Sequence, residues 1–227
     1  MNISLNGQSL TIDQVHKVAH SKNGTVKLTI DPSAMTKMKA SRAFVFDIVK
    51  KGAPVYGINT GFGALSSMHI AEKDLAQLQV NLIRSHCTGV GRAFSREITR
   101  AIMLLRANCL ISGFSGVEPY VVELLLDFLN SDITPVVPEK GSVGASGDLA
   151  PLSHIALALI GEGEVEFEGK VISSKFAIDH IKKVPAVLGP KDGLALINGT
   201  ACMAALGALA VFEARQIMKL ADICATL

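Results

Sequence analysis

Between positions 72 and 88, Leu75, Leu78, Leu82 and His86 fall three and four residues apart, the spacing of one helical face. The same period predicts helices over about 95–111, 117–130 and 149–160, the last starting behind Asp148, and a final one from about Gly199 to the end. The stretch from Asp31 to Gly52 carries its own punctuation. Asp31 caps it, Pro32 takes the first turn, where its missing N–H costs nothing, and Gly52 stops it. Alternation with period two is confined to short runs. "EVEFEGKVI" (164–172) reads as a hairpin turning at Glu168-Gly169, "VKLTI" (26–30) as a strand, and "ISLNGQSLTI" as a hairpin turning at Asn6-Gly7. "GVGR" breaks the 72–88 helix, and 131–147, with two prolines and three glycines, reads as irregular. The pattern predicts a mainly α fold with small β-hairpins and no internal repeat.

The end of the chain, "TACMAALGALAVFEARQIMKLADICATL", has no Gly or Pro stop and no polar tail. A helix this apolar is expected to be buried all round, so the chain is expected to end inside a long helix of a larger bundle. A division follows, with 1–197 as an N-terminal domain and 198–227 as the truncated start of a central helical bundle. The apolar run 201–212 reads as too short, and too rich in Ala and Gly, to span a bilayer.

With 227 residues, 49% hydrophobic and 19% charged, the chain can bury a sizeable core. A net charge of +2, without a basic run, argues against nucleic acid or an anionic membrane as partner. The start "NISLNGQSL" lacks the features of a signal peptide. Cys87, Cys109, Cys202 and Cys224 form no CxxC and read as reduced thiols of a cytoplasmic protein. The six histidines show no metal spacing, so no metal site is expected.

Candidate chemistry concentrates in "GSVGASGDLAP" (141–151). It lacks the Lys of a phosphate loop, the second Gly of a nucleophile elbow and the βαβ context of a dinucleotide fingerprint. Two readings remain open on the residues alone. One is a flexible turn into a helix capped by Asp148. The other is backbone chemistry. The Gly147 nitrogen can attack the Ala145 carbonyl when the chain bends tightly, since Ala and Gly offer little steric resistance. Loss of one water closes a five-membered ring. Loss of a second turns Ser146 into an alkene, an electrophile that no unmodified side chain supplies.

"GSVGASGDLAPLSH" resembles the signature of the aromatic amino acid ammonia-lyases. "YGINTGFG" (56–63), "NLIRSHCTGVG" (81–91) and "GLALINGT" (193–200) are similar to three further motifs of that family, in the family's order. Ser85-His86 in "RSHCTGVG" resembles the histidine-deaminating branch, while Ala201 stands where many of that branch carry Gln. The resemblance implies an ammonia-lyase-like fold with 1–197 as its prosthetic-group-bearing part. It implies conversion of L-histidine to trans-urocanate and ammonia. It implies 4-methylidene-imidazol-5-one (MIO) formed autocatalytically from Ala145, Ser146 and Gly147, with no external cofactor, and a homotetramer.

The resemblance also implies roles, each with a plainer reading beside it. Tyr56 is implied as the base for the β-proton, against a Tyr that packs a loop. His86 is implied to meet the substrate imidazole, against a core histidine. Asn198 is implied beside the MIO, against an N-cap before Gly199; an amide can serve both. Asp148 is expected to cap its helix and support cyclisation. Gly144 and Gly141 give backbone room, and Asn59 and Gly61 shape the tyrosine loop. His154 is expected to pack or hydrogen-bond within its helix, and Cys87 has no activating partner. The family's substrate carboxylate clamp lies in a second half that has no counterpart here. This chain alone is therefore expected to be inactive. A phenylalanine or tyrosine lyase, an aminomutase of the same family, and a non-catalytic fragment that associates through exposed helices are the alternatives.

Overall fold

A computed structural model describes residues 1–22, 25–143 and 147–227. The helix α2 (Pro32–Lys51) matches its punctuation. Asp31 accepts from the Ser33 and Ala34 amides, and Gly52 closes the helix at φ 69°. The first segment departs from expectation. Strand β1 (Asn2–Leu5) does not fold back on its neighbour but pairs in parallel with β2 (Lys27–Ile30). Asn6 Oδ1 accepts from the Gln8 and Ser9 amides, which sends the chain into α1 (Ile12–Ala19) instead of a hairpin. Thr11 and Gln14 form a reciprocal capping box there. That Thr-x-x-Gln signal, with Val15, Val18 and Ala19 behind it, was present in the sequence. A parallel pair needs a crossover, and α1 is that crossover.

Helices α3 (Leu75–His86), α4 (Arg96–Ile111), α5 (Pro119–Asn130) and α6 (Leu149–Leu159) lie where the period places them. The segments read as a break and as irregular carry strands. β3 (Val90–Ala93) pairs antiparallel with β5 (Pro138–Lys140), and β4 (Thr134–Pro135) pairs with β6 (Glu164–Phe167). β3 is exposed along its whole length and so shows no alternation, and β4 and β5 are only two and three residues long. β6 and β7 (Lys170–Ser173) form the expected hairpin, with Glu168 and Gly169 both at positive φ. Two short helices escaped the period, α7 (Ser174–His180) and α8 (Asp192–Ile197). One continuous core runs through α1, α4, α5, α6 and α8, and Ile102, Met103, Leu125 and Phe128 within it are fully buried.

The last helix, α9 (Ala201–Thr226), is long, as expected, but it is not buried all round. Only Ala201, Cys202, Ala205 and Leu209 are buried, while Met203, Leu206, Ile217, Met218, Leu220 and Ile223 are exposed. Among the described residues the stretch Asp192–Thr226, of which α9 is the larger part, is long and apolar enough, by length and composition, to cross a membrane. That corrects the reading of 201–212 as too short, because the apolar pattern continues past Phe212.

Candidate functional site

Helix α8 is six residues long and buried throughout, and the candidate residues are arranged around it. The tyrosine loop packs on its outer side. Gly57 has φ 75°, and a Cβ there would lie 2.3 Å from Leu194 Cδ2, so only glycine lets the loop approach this closely. Asn59 holds the loop from inside. It is buried, its Oδ1 accepts from the Val55 amide at 2.7 Å, and its Nδ2 donates to Ala53 O at 2.9 Å. Gly61 passes so close to Leu65 that a Cβ would meet the Leu65 carbonyl at 2.6 Å. Tyr56 is thereby presented outward, 56% exposed, with its ring edge-on to Phe62 at 6.1 Å.

Helix α3 packs on α8 through a buried glutamine. Gln79 Oε1 accepts from the Leu194 amide at 3.1 Å, and a Cβ on Gly193 would lie 2.8 Å from Gln79 O. His86 ends α3. Its Nδ1 lies 2.8 Å from Leu82 O, and a carbonyl only accepts, so Nδ1 carries the proton. In the neutral ring the lone pair is then on Nε2, which has no hydrogen-bond partner among the described residues. His154, expected to bond within α6, instead reaches across to the segment after His86, where its Nε2 accepts from the Gly89 amide at 3.3 Å. Burial lowers its pKa, which favours the neutral ring that this bond requires. The β3–β5 ladder sets Val90 opposite Lys140, so the chain leaving His86 runs beside the chain entering the tripeptide. Gly141 gives the room expected of it, since a Cβ there would meet Ala150 Cβ at 2.9 Å and Gly89 Cα at 3.2 Å.

Gly144, Ala145 and Ser146 lie outside the described residues, but the end of the tripeptide is visible. A Cβ on Gly147 would lie 3.0 Å from Asn198 Oδ1 and 3.3 Å from Gly199 N. Asp148 N donates to Gly199 O at 2.7 Å. Asp148 is fully buried and does not cap its own helix, contrary to expectation. Its Oδ2 accepts from the Cys202 amide at 2.8 Å and the Met203 amide at 3.0 Å, the first turn of α9, and its Oδ1 accepts from Ser142 Oγ at 2.8 Å. A carboxylate at a helix N-terminus satisfies orphan amides and suits the dipole. Asn198 is not an N-cap; it stands at the C-cap of α8, and Thr200 takes the N-cap position of α9.

The structure thus sets Gly147 beside Asn198 and bonds Asp148 to the adjacent Gly199. Among the described residues no hydrogen bond links Tyr56 or His86 to them. The sequence reading passed over two cations. Arg106 lies under α8 and donates to Ala195 O and Asn198 O. Lys191 starts α8 at φ 76°, with Nζ 3.8 Å from where a Gly57 Cβ would stand, and burial lowers its pKa. Neither has a local signal; only the positive φ of a non-glycine marks Lys191, and that is visible only in the fold. Burial pushes the Cys87 thiol up to about 11, so it is no nucleophile at neutral pH. Among the described residues no cluster of His, Cys, Asp or Glu could hold a metal ion. A cavity of about 560 Å³ between His16, His20, Lys22 and Phe212 is lined by none of the candidate residues.

The sequence pattern of the aromatic amino acid lyases matches residues 10–227. A histidine ammonia-lyase from Treponema denticola is 51% identical over 226 residues, 99% of this chain and 44% of that protein. The chain therefore spans less than half the length of such relatives. The crystal structure of histidine ammonia-lyase from Trypanosoma cruzi superposes with a TM-score of 0.91 at 39% identity, over 98% of this chain and 43% of that one. The ergothioneine-degrading ergothionase from Treponema denticola superposes with a TM-score of 0.91 at 36% identity, over 96% of this chain and 43% of that one. Tyrosine aminomutase from Streptomyces globisporus does so with 0.86 at 38% identity, over 94% and 40%.

Proposed function

This chain belongs to the aromatic amino acid lyase family, and from that premise we propose that it contributes the electrophile and the base of an enzyme converting L-histidine to trans-urocanate and ammonia. The observation that carries the reading is the packing of Gly147 and Asp148 onto Asn198-Gly199. Gly147 faces Asn198 Oδ1 in a space that a Cβ would fill, and the next residue, Asp148, is anchored through both carboxylate oxygens, which accept from Ser142 Oγ and from the Cys202 and Met203 amides. The residues fit an MIO made from Ala145, Ser146 and Gly147. When formed, that group supplies an electrophile able to take up the substrate amine.

The chain's own residues do the rest. Tyr56, held outward by the Asn59-braced loop, takes the β-proton at its phenolic oxygen. His86 presents the Nε2 lone pair, because Leu82 O holds its Nδ1–H, and the imidazole N–H of histidine is a matching donor. Phenylalanine has no such donor. A tyrosine-directed lyase or aminomutase would offer a phenol hydroxyl to the same lone pair, so the substrates must be compared directly. Asn198 orients the substrate beside the ring. The four cysteines, all free, fit a cytoplasmic setting.

The division of labour proposed is 1–197 for the electrophile and base, and 198–227 as the start of a helical bundle shared in a homotetramer. The exposed apolar residues of α9 supply a surface for that assembly. Turnover belongs to the assembled full-length protein, and histidine turnover by these 227 residues alone would count against the division. The test is the intact mass of the full-length protein together with its kinetics. A mass short by two waters and urocanate formation that Tyr56→Phe abolishes are expected. Replacing His86 with Leu should lower kcat/KM for histidine relative to phenylalanine. An unmodified mass in an active protein, or an unmoved preference, refutes the corresponding part.

A further inference from the structure

Arg106 lies in the middle of α4 and is 4% exposed. A guanidinium this deep is costly to bury and ordinarily faces a carboxylate. The other two buried arginines do so, Arg42 with Asp192 and Glu118, and Arg100 with Asp132. Arg106 has no carboxylate partner among the described residues. Its Nη2 donates to Ala195 O and, at 3.0 Å, to Asn198 O, while its Nε is buried without a partner. Burial lowers its pKa, so an ion pair does not repay the desolvation. Stability alone would favour an apolar side chain here.

What the guanidinium touches accounts for its presence. A Cβ on Gly199 would lie 2.1 Å from Arg106 Nη1, so the cation is pressed against the Asn198-Gly199 segment. The same segment meets the end of the tripeptide through Gly199 O, which accepts from Asp148 N, and through Asn198 Oδ1 beside Gly147. We propose that Arg106 is a positioning residue for ring formation, its planar fork holding Asn198-Gly199 as the rigid seat against which the tripeptide closes. The inference rests on the MIO reading above.

In the closure, the Gly147 nitrogen bonds to the Ala145 carbonyl carbon. The first water leaves with the Ala145 oxygen and the hydrogens of the Gly147 and Ser146 nitrogens. The second leaves with the Ser146 hydroxyl and its Cα hydrogen. No redox partner is needed. Arg106 stays outside these bonds and acts by fixing the seat. A single nitrogen, Nη2, donates to both carbonyls at the end of α8, while the rigid guanidinium plane sets Nη1 against Gly199; a lysine ammonium is a point charge on a flexible stem and has no such plane.

The test follows intact mass against time after synthesis in the full-length protein, for wild type, Arg106→Met, Arg106→Lys and, as a core control in α1, Val18→Ala, with circular dichroism at 222 nm on each. Wild type and Val18→Ala are expected to lose both waters. Arg106→Met, at wild-type helicity, is expected to close roughly a hundred-fold more slowly, the scale of a misplacement of about 1 Å. Arg106→Lys is expected to fall between them. Complete loss of both waters at the wild-type rate in a folded Arg106→Met overturns the proposal. Should Arg106→Met fail to fold, wild-type closure in Arg106→Lys overturns it and slowed closure supports it. Slowing in Val18→Ala as large as in Arg106→Met also overturns it, because a general loss of stability would then explain both. A wild type of unmodified mass overturns the MIO reading together with this one.

Discussion

Asp148 gives a sharp test of how the two ends of the site are held. Replacing it with Ala removes the acceptor for the Cys202 and Met203 amides and for Ser142 Oγ. Loss of an N-cap costs about 1–2 kcal/mol. The Cys202 amide is buried and would be left unpaired, adding about 1–3 kcal/mol. Met203 is exposed, so water recovers part of its bond. The sum is about 2–5 kcal/mol, which for a domain of this size lowers the melting temperature by roughly 10 °C. Asp148→Asn should cost far less. Its amide oxygen can still accept from the two backbone N–H groups, and its NH2 can donate to Ser142 Oγ. What it loses is the charge at the α9 N-terminus, about 1 kcal/mol. Urea and thermal unfolding followed at 222 nm measure both. If Asp148→Ala falls within about 1 kcal/mol of wild type, or if Asn is as damaging as Ala, Asp148 does not cap α9 as described.

Other consequences are equally direct. Burial pushes the Cys87 and Cys202 thiols up to about 11, whereas Cys109 and Cys224 are exposed. Iodoacetamide at pH 8 should therefore label Cys224 and Cys109 well before Cys87, read by peptide mass spectrometry; equal rates would contradict the burial. Gly193→Ala places a Cβ 2.8 Å from Gln79 O and should push α3 off α8, costing about 1–3 kcal/mol in urea unfolding; an unchanged midpoint would contradict that contact. Burial raises Asp192 to about 6, against the pull of Arg42. The folded state then holds the proton more tightly than the unfolded one, so this contribution to stability is largest near pH 4 and falls as pH rises to about 6. The stability difference between wild type and Asp192→Asn should shrink over that range by up to about 3 kcal/mol; a difference that grows would reverse the assignment.

What was legible in the chain follows the reach of each rule. Asp31, Pro32 and Gly52 bracket α2 because a cap, a first turn and a left-handed stop act within a few residues. Glu168-Gly169 makes its turn for the same reason. The Thr11 to Gln14 capping box was equally local, and the hairpin reading of Asn6-Gly7 obscured it. The tripeptide and its companion motifs could be recognised as a resemblance because their residue types recur in a fixed order.

Helices α2 to α6 and α9, the caps of α2, the β6–β7 turn and the identity of the chemical groups are written locally, in neighbours a few positions away; α1 is obscured by Asn6-Gly7, and α7 and α8 are not so written. Which groups serve which is set by long-range packing. Asp148 looks like the cap of the helix it precedes, yet it caps a helix 54 residues on. Arg106 bonds Asn198 across 92 positions, and Gln79 meets Leu194 across 115. β1 alternates, but its parallel partner is set across α1, and β3 finds β5 with no alternation of its own. Buried polar groups must be satisfied by whatever the packing brings within reach. That requirement couples distant residues through space, and no local pattern records it.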